Sequence, residues 1–122
     1  RAQIERADAL LICTPEYSYS ISGVLKNALD WAAEPAGHSP LRGRPLAIMG
    51  ASAGRSGTMR AQLQLRQIAT AIGMVPIPEP EIYVTYAADK FNQLGELTDQ
   101  TSRDLIEEML DAIAAWVDVL GG

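Results

Sequence analysis

The chain is short of the residues that carry acid–base and metal chemistry. It holds one cysteine, Cys13, and one histidine, His38. A single thiol closes no internal disulfide, which makes a reducing, cytoplasmic compartment the expectation. One Cys and one His do not furnish the ligand set of a structural zinc site. No apolar run approaches the roughly 18 residues of a membrane-spanning helix. Positive charge is also scarce: Lys and Arg number 10 against 15 Asp and Glu, a net charge of −5. That balance argues against nucleic acid, whose phosphates call for a basic surface. It argues equally against attraction to anionic membranes. The chain opens on Arg1 rather than Met, on helix-like residues followed at once by a strand, so preceding sequence is expected.

What remains is an apolar chain of one-domain size. Its 122 residues, 48% of them hydrophobic, suit a single domain over 1–122 with a modest core. Residues 1–8 are polar and helix-compatible. Residues 9–14 (ALLICT) form an unbroken apolar run, the pattern of a strand covered on both faces in a parallel sheet. Pro15 stops it. Ser22 is an expected N-cap for a helix from Gly23, with Val24, Leu25, Ala28, Leu29 and Ala32 inward and an end before Pro35. Residues 45–50 (PLAIMG) are a second buried strand. Residues 58–72 read as a helix with Met59, Leu63, Ile68 and Ile72 inward and Gly73 at its C-terminal cap. Prolines 76, 78 and 80 break the next stretch into strand pieces near Met74–Ile77 and Ile82–Val84, as at a sheet edge. An irregular connection over 85–97 precedes the last helix. There Thr98 and Asp99 cap the start, and Leu105, Met109, Ile113 and Val117 recur every four residues, flanked by Ile106, Leu110 and Leu120. Gly121 and Gly122 end it. This alternation of strand and helix predicts an α/β fold of three layers, α/β/α, around a parallel sheet.

In such sheets ligands bind at the carboxyl ends of the strands. Two loops leave those ends here, residues 15–21 and 51–57, each leading into a helix. The first suits a flat, electron-accepting ring, bonded by backbone N–H groups with Tyr17 and Tyr19 nearby. On spacing alone a plain strand-to-helix connection with exposed tyrosines is the favoured reading. In the second, Gly50, Gly54 and Gly57 invite a dinucleotide-binding reading, but the spacing is GxxxGxxG rather than GxGxxG. Arg55 and Arg60 are candidates for a nucleotide phosphate, with surface or interface charge the favoured alternative. Cys13 is expected to be a buried structural thiol, and His38 to be exposed. Glu16 is a general base only if buried, and a solvated loop carboxylate is the favoured reading. Trp31 and Trp116 read as packing residues.

The stretch TPEYSYSISGVLKNALDW at 14–31 resembles the signature of the NADPH-dependent FMN reductase family, which includes bacterial chromate and quinone reductases. Thr14 through Tyr17, Tyr19, Ser20, Gly23, Leu25 through Ala28, Asp30 and Trp31 match. Ser18 stands where the family has Asn, and Ser22 where it has Pro. The resemblance continues through residues 41–68. It implies a flavodoxin-like fold in which Pro15, Glu16, Tyr17 and Ser18 line the flavin ring, largely through backbone groups, with Ser52 close to the same ring. FMN is the implied cofactor and NADPH or NADH the hydride donor. The acceptor is a small molecule such as a quinone or free flavin, and no catalytic acid–base residue or metal is called for. Homodimers or homotetramers are implied, with Arg60 and Glu81 at subunit contacts and Leu63 in place of a tyrosine that accompanies them. The family's phosphate loop and first strands have no counterpart, a strand–helix–strand start of roughly 50–60 residues. The chain alone is therefore expected to bind FMN poorly. The rival classes are a flavodoxin-like binding or assembly domain without turnover, or a truncated non-functional copy, and a Rossmann-type dehydrogenase using residues 50–57.

Overall fold

In the computed structural model, which describes residues 1–121, strands and helices alternate as the sequence predicts. A short helix α1 (Ala2–Arg6) leads into β1 (Leu10–Cys13), α2 (Gly23–Ala32), β2 (Pro45–Ala51) and α3 (Met59–Ala71). Two strand pieces, β3 (Val75–Pro76) and β4 (Ile82–Val84), precede a 3-10 turn at Ala87–Asp89 and the long helix α4 (Gln100–Gly121). The expected stop at Gly122 lies outside the described residues.

All the pairings are parallel, and β2 is central. β3 and β4 lie along the same side of β2. Pro45 and Leu46 align with Val75 and Pro76, and Met49 to Ala51 with Ile82 to Val84. They are one edge strand interrupted at its prolines. Val75 and Ile77 donate their N–H groups inward to Arg44 and Leu46 carbonyls, both at 2.9 Å. Pro76 between them has no N–H to lose, as edge position permits.

The core has two halves, one on each face of the sheet. Leu46 and Ile48 of β2 pack with Leu29 of α2 and with Ala61, Leu65 and Ala69 of α3. Ala47 points the other way, to Ile82, Val84 and Met109 of α4. This is strand alternation in a three-layer fold. Asp99 caps α4, its Oδ2 accepting from the Ser102 N–H at 3.0 Å and hydroxyl at 2.6 Å. Ser22 caps α2 through the Leu25 N–H at 3.1 Å, and Gly73 follows α3 at φ +83°.

Several inward assignments are corrected. In α3, Met59 and Leu63 are exposed, and the buried positions are Ala61, Gln62, Leu65 and Ala69. The helix is rotated because Gln62 is a satisfied buried polar residue: its Nε2 donates to Thr58 Oγ1 at 3.0 Å and to the Ile82 carbonyl at 2.8 Å. Hydropathy alone does not register such a position. In α2, Val24 and Ala28 face outward, with Trp31, 73% exposed, on the same side. Trp31 is thus no packing residue in the chain, whereas Trp116 is one, donating its Nε1 to the Val75 carbonyl at 3.2 Å. Leu110 and Leu120 of α4 are exposed as well. β1 is covered on one face only: Leu10 and Ile12 meet the α2–α3 half of the core, while Leu11 and Cys13 are exposed. Cys13 is therefore not a buried thiol. It borders an apolar hollow shared with Met49, Val84, Phe91, Leu97 and Ile106, and partial burial there raises its pKa.

Candidate functional site

The two strand-end loops lie on one edge of the sheet, as their parallel strands require. Thr14 anchors the first. It is buried, its N–H donates to the Met49 carbonyl at 2.9 Å and its hydroxyl to the Pro15 carbonyl at 2.8 Å. The chain then turns back on itself. Tyr17 and Ser20 exchange backbone hydrogen bonds at 2.8 and 3.0 Å, and the two central residues take φ of +50° (Ser18) and +72° (Tyr19). Two successive positive φ values make a primed tight turn, strained for residues other than glycine or asparagine. The turn leaves the N–H groups of Glu16, Ser18 and Tyr19 without an acceptor among the described residues.

The second loop is laced from within and to its neighbour. Ser52 Oγ accepts the Gly57 N–H at 2.9 Å and donates to the Gly54 carbonyl at 3.3 Å. Ser52 N–H reaches Val84, while Tyr86 and Ala87 donate to Gly54 and Ser52, all at 2.9 Å. The N–H groups of Ala53, Gly54, Arg55 and Ser56 have no acceptor among the described residues. The glycines here serve packing. A Cβ on Gly50 would lie 2.0 Å from Thr58 Oγ1 and 2.5 Å from the Thr14 carbonyl oxygen, and one on Gly57 would lie 2.7 Å from Tyr83 backbone. Gly50 belongs to β2 itself and Gly54 meets nothing, so close approach requires glycine at 50 and 57 only, and the three do not form a GxGxxG turn.

Glu16 joins the two loops, and here the expectation of a solvated carboxylate fails. Its side chain is 7% exposed. Oε1 accepts the backbone N–H groups of Arg60 and Ala61 at 2.9 and 3.1 Å, and Oε2 accepts Arg60 Nε at 2.7 Å. Glu16 thus caps the first turn of α3 from the other loop, where the helix dipole favours negative charge. Thr58, at φ +67°, offers no side-chain cap of its own. Burial pushes the Glu16 pKa up. The Arg60 side chain, the Ala61 amide and the Arg60 charge and backbone amide together outweigh it and hold the carboxyl below its ordinary range. The Arg60 guanidinium also lies 3.9 Å over the Tyr19 ring.

Glu16 and Ser52 line one open cleft of about 500 Å³, with Gly54, Arg55, Ser56, Met59 and Arg60. Pro15, Tyr17 and Ser18 are exposed beside the cleft loops but are not among its lining residues. Glu81, Leu63 and His38 are exposed and apart from it. Thr14, Thr58 and Gln62, which hold the two loops to β2 and β4, carried no signal in the sequence beyond their polarity. Among the described residues no group of His, Cys, Asp and Glu is placed to hold a metal ion.

A three-layer α/β fold with two loops of unpaired amides at the carboxyl edge of a parallel sheet is that of a flavodoxin-like protein. The chain belongs to the NADPH-dependent FMN reductase family, whose profile matches residues 1–89. It is 49% identical over 122 residues to an NAD(P)H-dependent FMN reductase of Pseudomonas aeruginosa, covering 100% of this chain and 65% of that protein. It is 42% identical over 117 residues to a 2-hydroxy-1,4-benzoquinone reductase of a Burkholderia species, covering 96% and 64%. Among solved structures it superposes on FerB, a flavoenzyme NAD(P)H:(acceptor) oxidoreductase of Paracoccus denitrificans. The TM-score is 0.85 at 35% identity, over 96% of this chain and 64% of that one. The chain thus spans a little under two thirds of the length of these relatives.

Proposed function

We propose that this chain is the ring-binding portion of an FMN-dependent NAD(P)H oxidoreductase that delivers electrons to a quinone, a flavin or a similar small acceptor. The observation that carries the reading is the turn at 17–20, which leaves the N–H groups of Glu16, Ser18 and Tyr19 unpaired, set beside the Ser52 loop on one sheet edge. Such groups suit the carbonyl and imine acceptors on the edge of an isoalloxazine. FMN, when bound, supplies the hydride chemistry; the protein contributes orientation and electrostatics. Glu16 and Ser18 would hold the ring from one side through their unpaired N–H groups, with Pro15 and Tyr17 shaping that loop, and Ser52 would shape the loop on the other. Amides fixed by the Tyr17–Ser20 turn would stabilise negative charge on the ring edge without reorganising, an oxyanion-hole type of effect. Glu16 is spent on α3 and Arg60, so it acts as a strut and not as a base. The names borne by the relatives support the donor and the acceptor class.

The oligomer and the compartment belong to the same reading. The outward stripe of Val24, Ala28 and Trp31 on α2 suits a second copy of the chain, and its Lys26–Asp30 pair at 2.9 Å offers both charges for exchange across a two-fold. A lone thiol fits the cytoplasm. Among the described residues, no helix is long and apolar enough to cross a membrane.

The test is FMN titration, followed by quenching of flavin fluorescence, on the 122-residue chain and on the full-length gene product. The full-length protein is expected to bind FMN and to oxidise NAD(P)H with a benzoquinone as acceptor, and the chain alone to bind weakly. A full-length protein that takes up no FMN would overturn the reading and favour an assembly role.

A further inference from the structure

Two arginines line the cleft, and their surroundings separate them. Arg60 is committed. Its Nε and its second terminal nitrogen lie 2.7 and 2.5 Å from Glu16 Oε2, and its guanidinium covers Tyr19. The charges of Glu16 and Arg60 cancel, and the first amides of α3 are consumed by the same carboxylate. Arg55 is exposed and makes no side-chain hydrogen bond or ion pair among the described residues. Beside it are the unpaired N–H groups of Ala53, Gly54, Ser56 and Arg55 itself. No other carboxylate lines the cleft.

A free guanidinium next to unpaired amides is an anion-recognition arrangement. Guanidinium binds phosphate in a two-pronged manner, and a run of loop amides adds fixed positive ends of dipoles. The surrounding protein carries a net charge of −5, so an approaching anion is repelled by most of the surface and attracted here. We infer that Arg55, with the amides of Ala53 to Ser56, docks a phosphate group of the nicotinamide dinucleotide donor, and that Arg60 does not. The inference rests on the donor reading above and goes beyond it by naming the residue that holds the donor.

The experiment measures binding of 2′,5′-ADP and of 5′-ADP, neither of which carries a nicotinamide, to the full-length FMN-loaded protein by calorimetry. Wild type, Arg55→Gln and Arg6→Gln are compared. Arg6 is an exposed arginine of α1 away from the cleft, so its variant makes the same charge change elsewhere and retains wild-type turnover. Arg55→Gln is expected to weaken 2′,5′-ADP about tenfold, the scale of one charge-assisted contact, and to raise the donor KM more than it lowers kcat. Loss confined to 2′,5′-ADP assigns Arg55 to the 2′-phosphate and predicts discrimination in favour of NADPH. Equal loss for both probes assigns it to the pyrophosphate. Either supports the inference. Unchanged affinity for both probes in Arg55→Gln, or the same loss in Arg6→Gln, overturns the inference while FMN uptake leaves the flavin reading standing. Failure of the wild type to take up FMN overturns both.

Discussion

Glu16 changes character between sequence and structure. As one letter of a loop it reads as a solvated carboxylate; in the fold it is the cap of a helix that begins at Met59. No local pattern announces this, because the cap comes from a residue far away along the chain. Its lowered pKa sets a sign. A carboxyl whose folded pKa is depressed stabilises the fold above its unfolded pKa, and that contribution is lost as pH falls through the folded value. Asp99, held down by its Ser102 bonds, pulls in the same direction. Wild type is therefore expected to exceed Glu16→Gln in urea midpoint at about pH 7, with the gap closing as the pH falls below the ordinary carboxylate range. Because Glu16→Gln leaves Asp99 intact, the difference between the two curves isolates Glu16. Glu16→Ala, which also removes the cap, is expected to cost about 1 kcal/mol at neutral pH. A gap that stays constant with pH would mean that the carboxylate charge contributes nothing.

At the scale of elements, the site depends on how closely β2, β4 and α3 approach. Gly57 sits at φ +55° with Tyr83 backbone where a Cβ would go, and Thr58 follows it in the same left-handed region. Gly57→Ala meets both a steric clash and backbone strain. It is expected to destabilise by about 3 kcal/mol, read from denaturant midpoints, whereas Gly54→Ala, which meets nothing within 4 Å, is expected to change the midpoint little. Equal effects would show that loop entropy, not packing, sets the requirement for glycine. The elements themselves were legible in the sequence. Apolar runs gave β1 and β2, Ser22 and Asp99 gave helix starts, and the prolines gave a broken edge strand. The facing of α2 and α3 was not legible. Val24, Trp31 and Leu63 look like core by hydropathy, and Gln62 does not, because the buried partners that decide the matter lie on other elements.

For the whole molecule, the half-dressed faces are the notable feature. Val24 is 82% and Trp31 73% exposed on one side of α2, an apolar stripe of the kind that marks association. Light scattering is expected to find the full-length protein as a dimer or larger. Val24→Lys combined with Trp31→Ser is expected to shift it to monomer, with a urea midpoint within about 0.5 kcal/mol of wild type, as for surface substitutions. A wild-type monomer would remove the second copy from the reading of this face.

The sequence by itself determined the family, the order of elements and the two loops of the site. Those are properties of local pattern and of a long signature, residues 14–31, that keeps its meaning when read in one dimension. Only the tertiary structure decided what the residues of those loops touch. It turned Glu16 from a candidate base into a strut, took Arg60 out of contention and left Arg55 free, and exposed Cys13 and Trp31. The physical reason is common to all of these. Whether a charge is solvated, paired or free, and whether an apolar side chain is covered, depends on groups brought near by folding, and those neighbours are distant in sequence.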